Sequence, residues 1–195
     1  MGDPRATEYL DRTRWQSHPR YPAQTLLLGS HTNFVSINAR LIGEAKTVED
    51  PAALEWRYVR WIEAMRSHER YEEYKLYPYL ARRWGVSFAG AQEGHRTLHD
   101  KHNEVMAAFR GLNDPDRDPT TARAKLVDAL AAHHEALVDH LRVEEDAVIP
   151  LLLDLIPEEF QHYYHSSIQT LLAELDERAA RGDRHDREEH HGQAR

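Results

Sequence analysis

Apolar residues near the start of the chain recur at three- and four-residue steps. Leu26, Leu27, Phe34, Ile37, Leu41 and Ile42 follow this period and predict a first helix over about Pro22 to Lys46. Asp50 is a natural N-cap and Pro51 suits a first helical turn, so a second helix begins there; its periodicity continues to about Arg83. Trp84-Gly85-Val86-Ser87 interrupts the pattern. A third helix follows over about Ala89 to Leu112, with Gly90 and Gly94 weakening its first turns. The run from Asn113 to Pro119 reads as a loop, and a fourth helix runs from Thr120 or Thr121 to about Ile156. Pro157-Glu158-Glu159 opens a fifth, to about Ala180, with acids at its positive end. No stretch reads as a strand ladder. The expected fold is all-α, an up-down-up-down four-helix bundle over residues 22–156 with an additional C-terminal helix, 157–180, packed on it. Residues 1–21 form a polar N-terminal extension. Residues 181–195 are charged and non-periodic, and read as a disordered tail.

Composition narrows the chemistry. The 195 residues include 14 histidines and no cysteine, so disulfides, thiolate metal sites and thiol catalysis are excluded. Any metal must sit on imidazole and carboxylate. The net charge of −8 lacks the basic face that nucleic acid or an anionic membrane surface requires. No apolar run approaches the roughly 20 residues of a membrane span. Met1 to Tyr21 carries no apolar core of a secretory signal. The expectation is a cytoplasmic protein without nucleic-acid or membrane partners.

An internal repeat points to where the chemistry lies. His68-Glu69-Arg70-Tyr71-Glu72-Glu73 with Pro78-Tyr79-Leu80 is echoed 72 residues later by His140-Leu141-Arg142-Val143-Glu144-Glu145 with Pro150-Leu151-Leu152. His, Arg, Glu, Glu, Pro and Leu are identical between the two. One helix earlier, His31 is echoed by His102, each followed ten residues on by a leucine, Leu41 and Leu112. Residues i and i+4 share a helix face, so His68 with Glu72, and His140 with Glu144, each reach one centre. With His31 and His102 arriving from the other two helices, four imidazoles and two carboxylates converge, a set suited to two metals sharing bridging carboxylates.

This constellation, His31, His68-x3-Glu72 with Pro78, His102, and His140-x3-Glu144 with Pro150, resembles the hemerythrin-like, HHE cation-binding family over about residues 24–155. The resemblance implies two iron ions, oxo- or hydroxo-bridged when oxidised. It implies His31, His68, His102 and His140 as ligands, with Glu72 and Glu144 bridging. It also implies a partner such as O2, peroxide or NO, and three kinds of role: a carrier, an oxidase or oxygenase with a small organic substrate, or an iron or oxygen sensor. The pattern departs from the oxygen carriers in two ways. Their extra third-helix histidine falls here on Leu98, and their second bridging carboxylate is an aspartate five residues after its histidine, whereas Glu144 is four after His140. His99 and His95, on the face of His102, and Glu69, adjacent to His68, are the substitutes for the missing ligand.

Among remaining residues, Tyr71 is the best-placed candidate for a redox-active or hydrogen-bonding tyrosine at the centre. Trp61 and His133 read as packing beside it. Pro78 and Pro150 each remove a helical hydrogen bond and are expected to bend their helices beyond the metal layer. His134-Glu135 lacks the second histidine of a zincin, and no glycine-rich phosphate loop is present.

Overall fold

The computed structural model of the chain describes residues 12–166. Five helices form residues 30–154: α1 (Ser30–Ala45), α2 (Pro51–Tyr71), α3 (Tyr77–Trp84), α4 (Ala89–Leu112) and α5 (Pro119–Asp154). α2 and α3 are one rod joined by a π-helical turn, Glu72–Leu76. The rod starts as the sequence predicts: Asp50 Oδ1 accepts from the Ala53 amide at 3.0 Å, and Pro51 fills the first turn. It ends at Gly85, whose φ of 69° is left-handed and costs glycine nothing. α1, α2, α4 and α5 contact one another in a closed ring, each antiparallel to its sequence neighbour, which makes the expected four-helix bundle.

The first expected helix splits. Residues Ala23–Leu28 wind as a 3-10 helix, and α1 begins only at Ser30. The tighter turn rotates the apolar face, so Leu28 is buried and Leu26, counted on the core face by its spacing, is exposed. The side chain of Leu27 is outside the described set.

The apolar core fills the hairpin-loop half of the bundle. Leu54, Tyr58, Phe109, Leu126 and Leu130 are fully buried there, each contributing roughly 1.5–3 kcal/mol of hydrophobic stabilisation. The opposite half is closed by residues 12–28. Gln24 Nε2 donates to the Leu152 carbonyl at 2.5 Å and Arg20 to that of Leu153 at 2.9 Å, satisfying two carbonyls of the last turn of α5.

Pro150 lies inside α5, which continues past it, whereas the π turn takes up the irregularity ahead of Pro78. In that turn the Tyr77 amide bonds back to the Glu72 carbonyl, five residues earlier. The described residues from Leu155 to Ser166 belong to a separate unit, in which 157–166 are helical. The remainder of the fifth helix expected to Ala180, and the tail 181–195, lie outside the described residues. No helix among the described residues is long and apolar enough to cross a membrane.

Candidate metal centre

The site lies where the apolar core gives way to buried polar side chains. His31, Glu72, His95, His140, Glu144 and Glu145 are all buried, from helices or turns that are antiparallel neighbours. His31 Nε2 lies 2.8 Å from His68 Nε2. The rings of His95 and His140 approach to 4.5 Å between centroids. These are two histidine pairs, one per side.

The two glutamates sit between the pairs. Glu72 Oε1 is 2.7 Å from His68 Nε2 and 3.6 Å from His31 Nε2, while its Oε2 is 3.5 Å from His95 Nε2. Glu144 Oε2 is 3.7 Å from both His31 Nε2 and His140 Nε2. Each carboxylate therefore addresses both pairs. Glu144 Oε1 is held by the hydroxyl of Tyr77, which donates at 2.9 Å. Tyr77 in turn stacks on Phe88 at 4.8 Å between ring centroids. Tyr71, the tyrosine favoured by the sequence, is half-buried at the end of α2; the hydroxyl on Glu144 is that of Tyr77.

Behind the site stands a second layer that sequence reasoning did not assign. His31 Nδ1 is 2.9 Å from Glu145 Oε1, and His95 Nδ1 is 2.8 Å from Glu73 Oε1. Glu145 receives a two-pronged contact from Arg12, with Nε donating to Oε2 at 2.8 Å. Glu73 receives Gln92 Nε2 at 2.7 Å. The signal was in the repeat: Glu73 and Glu145 are its paired identities immediately after Glu72 and Glu144. Arg12 carried no such signal, lying in a segment without periodicity.

His102 does not join this group. Its Nδ1 is 3.2 Å from the Tyr58 hydroxyl, and its ring stacks on that of Tyr58. His95 takes the place opposite His31. The reason is hairpin arm length. His140 lies 21 residues into α5, so its level on α4 is reached about as far before Leu112; His95 is 17 residues before that end and His102 only 10. At 1.5 Å per residue, His102 falls roughly 16 Å short of the level of His140. Its match to His31 at a near-constant offset ignored the greater length of the second hairpin. His99 Nε2 pairs with Glu69 Oε2 at 2.9 Å at the exposed mouth of the site, outside the two histidine pairs. His133, expected as packing, is fully buried against Tyr58 and Trp61, and its Nδ1 is 3.4 Å from Asn38 Nδ2.

His140 fits only because α4 carries glycine beside it. A Cβ on Gly94 would lie 2.3 Å from His140 Nδ1. The glycine that weakened the predicted start of the helix is thus a contact position.

The electrostatics are those of a tightly packed acid–base cluster. Burial pushes the His31 imidazole down, but the hydrogen bond to Glu145 and the nearby carboxylates of Glu72 and Glu144 overcome it and raise its pKa to about 10. Burial opposes ionisation of Glu72, but His31, His68 and His95 hold it well below the usual carboxylate range. Glu144, buried beside the charge of Glu72, is held well above it. Burial, with His95 beside it, drives His140 down to about 3.

The residues present fit a metal cation. His95 Nε2 and Glu144 Oε2 are buried without a hydrogen-bond partner, and Glu72 Oε1 has contacts but none of hydrogen-bonding geometry. Buried polar atoms left so are costly unless something else satisfies them. His31, His68 and Glu72 already offer three ligand atoms within 4.8 Å of one another. Imidazole and carboxylate donors suit iron and its first-row neighbours. Two of the histidines are backed by carboxylates on their far nitrogens, the arrangement that fixes the tautomer of a metal-ligating histidine.

A cavity of about 30 Å³ adjoins the cluster, walled by Phe34, Ile62, Leu98, Leu137 and Leu141. That is space for one or two waters or a diatomic molecule.

Neither the curated proteins nor the solved structures return a match to the chain. The family model described as the hemerythrin HHE cation binding domain matches residues 23–152, more than half of the chain and all four bundle helices. The chain belongs to the hemerythrin HHE cation-binding family.

Proposed function

We propose that this is a hemerythrin-like non-haem diiron protein that binds or activates O2 or a related small oxidant such as peroxide or NO, in the cytoplasm. His31 and His68 would hold one ion and His95 and His140 the other, with Glu72 and Glu144 placed between the two pairs. The observation that carries this reading is the pair of carboxylates, each within 3.7 Å of histidine nitrogens from both pairs, with buried donor atoms left unsatisfied. When bound, two irons supply the electrons that reduce or reversibly bind the oxidant.

The protein's own residues prepare the site. Without metal, protons occupy it: His31 is cationic at pH 7, and burial beside the charge of Glu72 makes Glu144 keep its proton to higher pH than a free carboxylate. Cation binding displaces these protons, so affinity rises with pH. Tyr77 keeps its proton and donates it to Glu144, fixing that carboxylate's orientation. Phe34, Ile62, Leu98, Leu137 and Leu141 form the apolar part of the cavity wall, and Glu69 and His99 line its exposed mouth. The cavity volume favours a diatomic oxidant over an organic substrate, which needs more room.

The test is to count metals in the purified protein, load Fe(II) without air, and follow the visible spectrum as O2 is added and removed. Reversible colour identifies a carrier, and irreversible oxidation or turnover with a reductant identifies an enzyme. Iron stoichiometry near zero in the wild type after loading overturns the reading.

A further inference from the structure

The two metal positions have the same inner ligands in mirror order, but their outer supports differ in charge. Behind His31 stands Glu145, whose two oxygens are both engaged by the Arg12 guanidinium. Behind His95 stands Glu73, engaged by the neutral amide of Gln92. Glu73 and Glu145 occupy the same place in the repeat, and they differ in their partners. A carboxylate behind a histidine increases that imidazole's electron donation. A guanidinium locked onto the carboxylate cancels its charge and weakens that donation. Glu69 adds a further carboxylate on the His95 side, acting on that imidazole through its charge.

We infer that Arg12 makes the two positions electronically unequal: the position held by His95 and His140 gives up its electron first, and the position held by His31 and His68 stays reduced longer. Arg12 is thereby a positioning and tuning residue, acting through Glu145 and His31 without touching the metal. The segment that carries it, ahead of the bundle, is part of the centre. This rests on the diiron reading above.

The test uses the full chain loaded with two equivalents of 57Fe(II) without air and oxidised stepwise with ferricyanide. Each position loses one electron, and each ferricyanide becomes ferrocyanide. Mössbauer spectra at each step report which fraction of each iron is ferric, and metal analysis reports stoichiometry. In the wild type the two irons are expected to oxidise in two resolved steps. R12Q is expected to keep two irons and bring the steps together, because Glu145 regains its charge. R12K is expected to restore the separation. Q92K, which places a cation on Glu73, is expected to delay the first step. Two bound irons that oxidise together in the wild type overturn the inference, as does an unchanged separation in R12Q at full stoichiometry; both leave the diiron reading standing. If R12Q fails to hold two irons, Q92K decides: a first step that does not move overturns the inference. Failure of the wild type to bind iron overturns the diiron reading itself.

Discussion

Glu73 and Glu145 each grip the histidine of the opposite hairpin. Glu73, on the α2–α3 rod, meets His95 of α4 at 2.8 Å, and Glu145, on α5, meets His31 of α1 at 2.9 Å. Removing either charge while keeping shape is expected to weaken metal binding without dismantling the fold. Glu73→Gln and Glu145→Gln should each lower affinity by about 10–100-fold. Competition with a chromogenic chelator measures this, with circular dichroism as the check on folding. Unchanged affinity in both variants would show that these carboxylates do not support the ligands.

The placement of His95 rather than His102 separates two site assignments. His95→Ala is expected to lose one iron of the two. His102→Ala is expected to retain both and to cost roughly 1–3 kcal/mol of stability, because the Tyr58 hydroxyl loses its partner in the core. Metal analysis and urea unfolding on the two variants give the answer, and the reverse pattern would return His102 to the centre.

Gly94→Ala drives a methyl group into the imidazole of His140. Overpacking of this kind costs typically about 1–3 kcal/mol. The variant should unfold at lower urea and hold less metal on the His95–His140 side. A variant with wild-type stability and stoichiometry would mean that His140 moves freely.

His133 should make the protein acid-sensitive. Burial, together with His102 and His134, lowers its pKa to about 3, so the folded state keeps it neutral. In the unfolded chain it titrates near 6.5. Between those values the unfolded state binds a proton that the native state refuses. Stability is therefore intact above about pH 6.5 and falls as pH drops below it, by up to about tenfold in the folding constant per pH unit. Urea midpoints of His133→Phe and wild type across pH 5–8, both metal-free, measure this contribution. The variant should show a shallower fall, and parallel curves would contradict it.

Metal should also stabilise the fold, since the unfolded chain has no assembled site. Free metal at 100 times its dissociation constant adds roughly 2.7 kcal/mol. Thermal unfolding with and without Fe(II) should show a higher midpoint with metal, reversed by a chelator. Identical midpoints at saturating metal would argue that binding is not confined to the folded state.

The architecture was legible because each helix carried its own markers: Asp50 and Pro51 at one start, Gly85 at one end, and the apolar period between them. The motif residues were legible because they repeat. The expected helix at 22–46 broke at Gly29 because periodicity does not separate a 3-10 turn from an α turn. His95 was read only as a substitute for a further ligand, with His102 set opposite His31, because offset was compared without comparing arm lengths, a quantity that the helix ends at Leu112 and Pro119 already contained. Arg12 was not legible at all, and Tyr77 was legible only as one of four tyrosines around the first motif, ranked behind Tyr71. One comes from an aperiodic segment, and the other reaches Glu144 through a π turn that shifts which residues face inward.

The crossed grips also make each hairpin depend on the other. A single hairpin of the α1–α2 kind has one histidine from its first arm, a His-x3-Glu pair from its second, and a trailing glutamate that points away to its neighbour. Alone it is half a site with an unused acid. Two identical copies docked about a twofold axis complete each other at once. The present chain has the form of two such hairpins joined end to end, and Arg12 and Gln92 break the equivalence of its two halves.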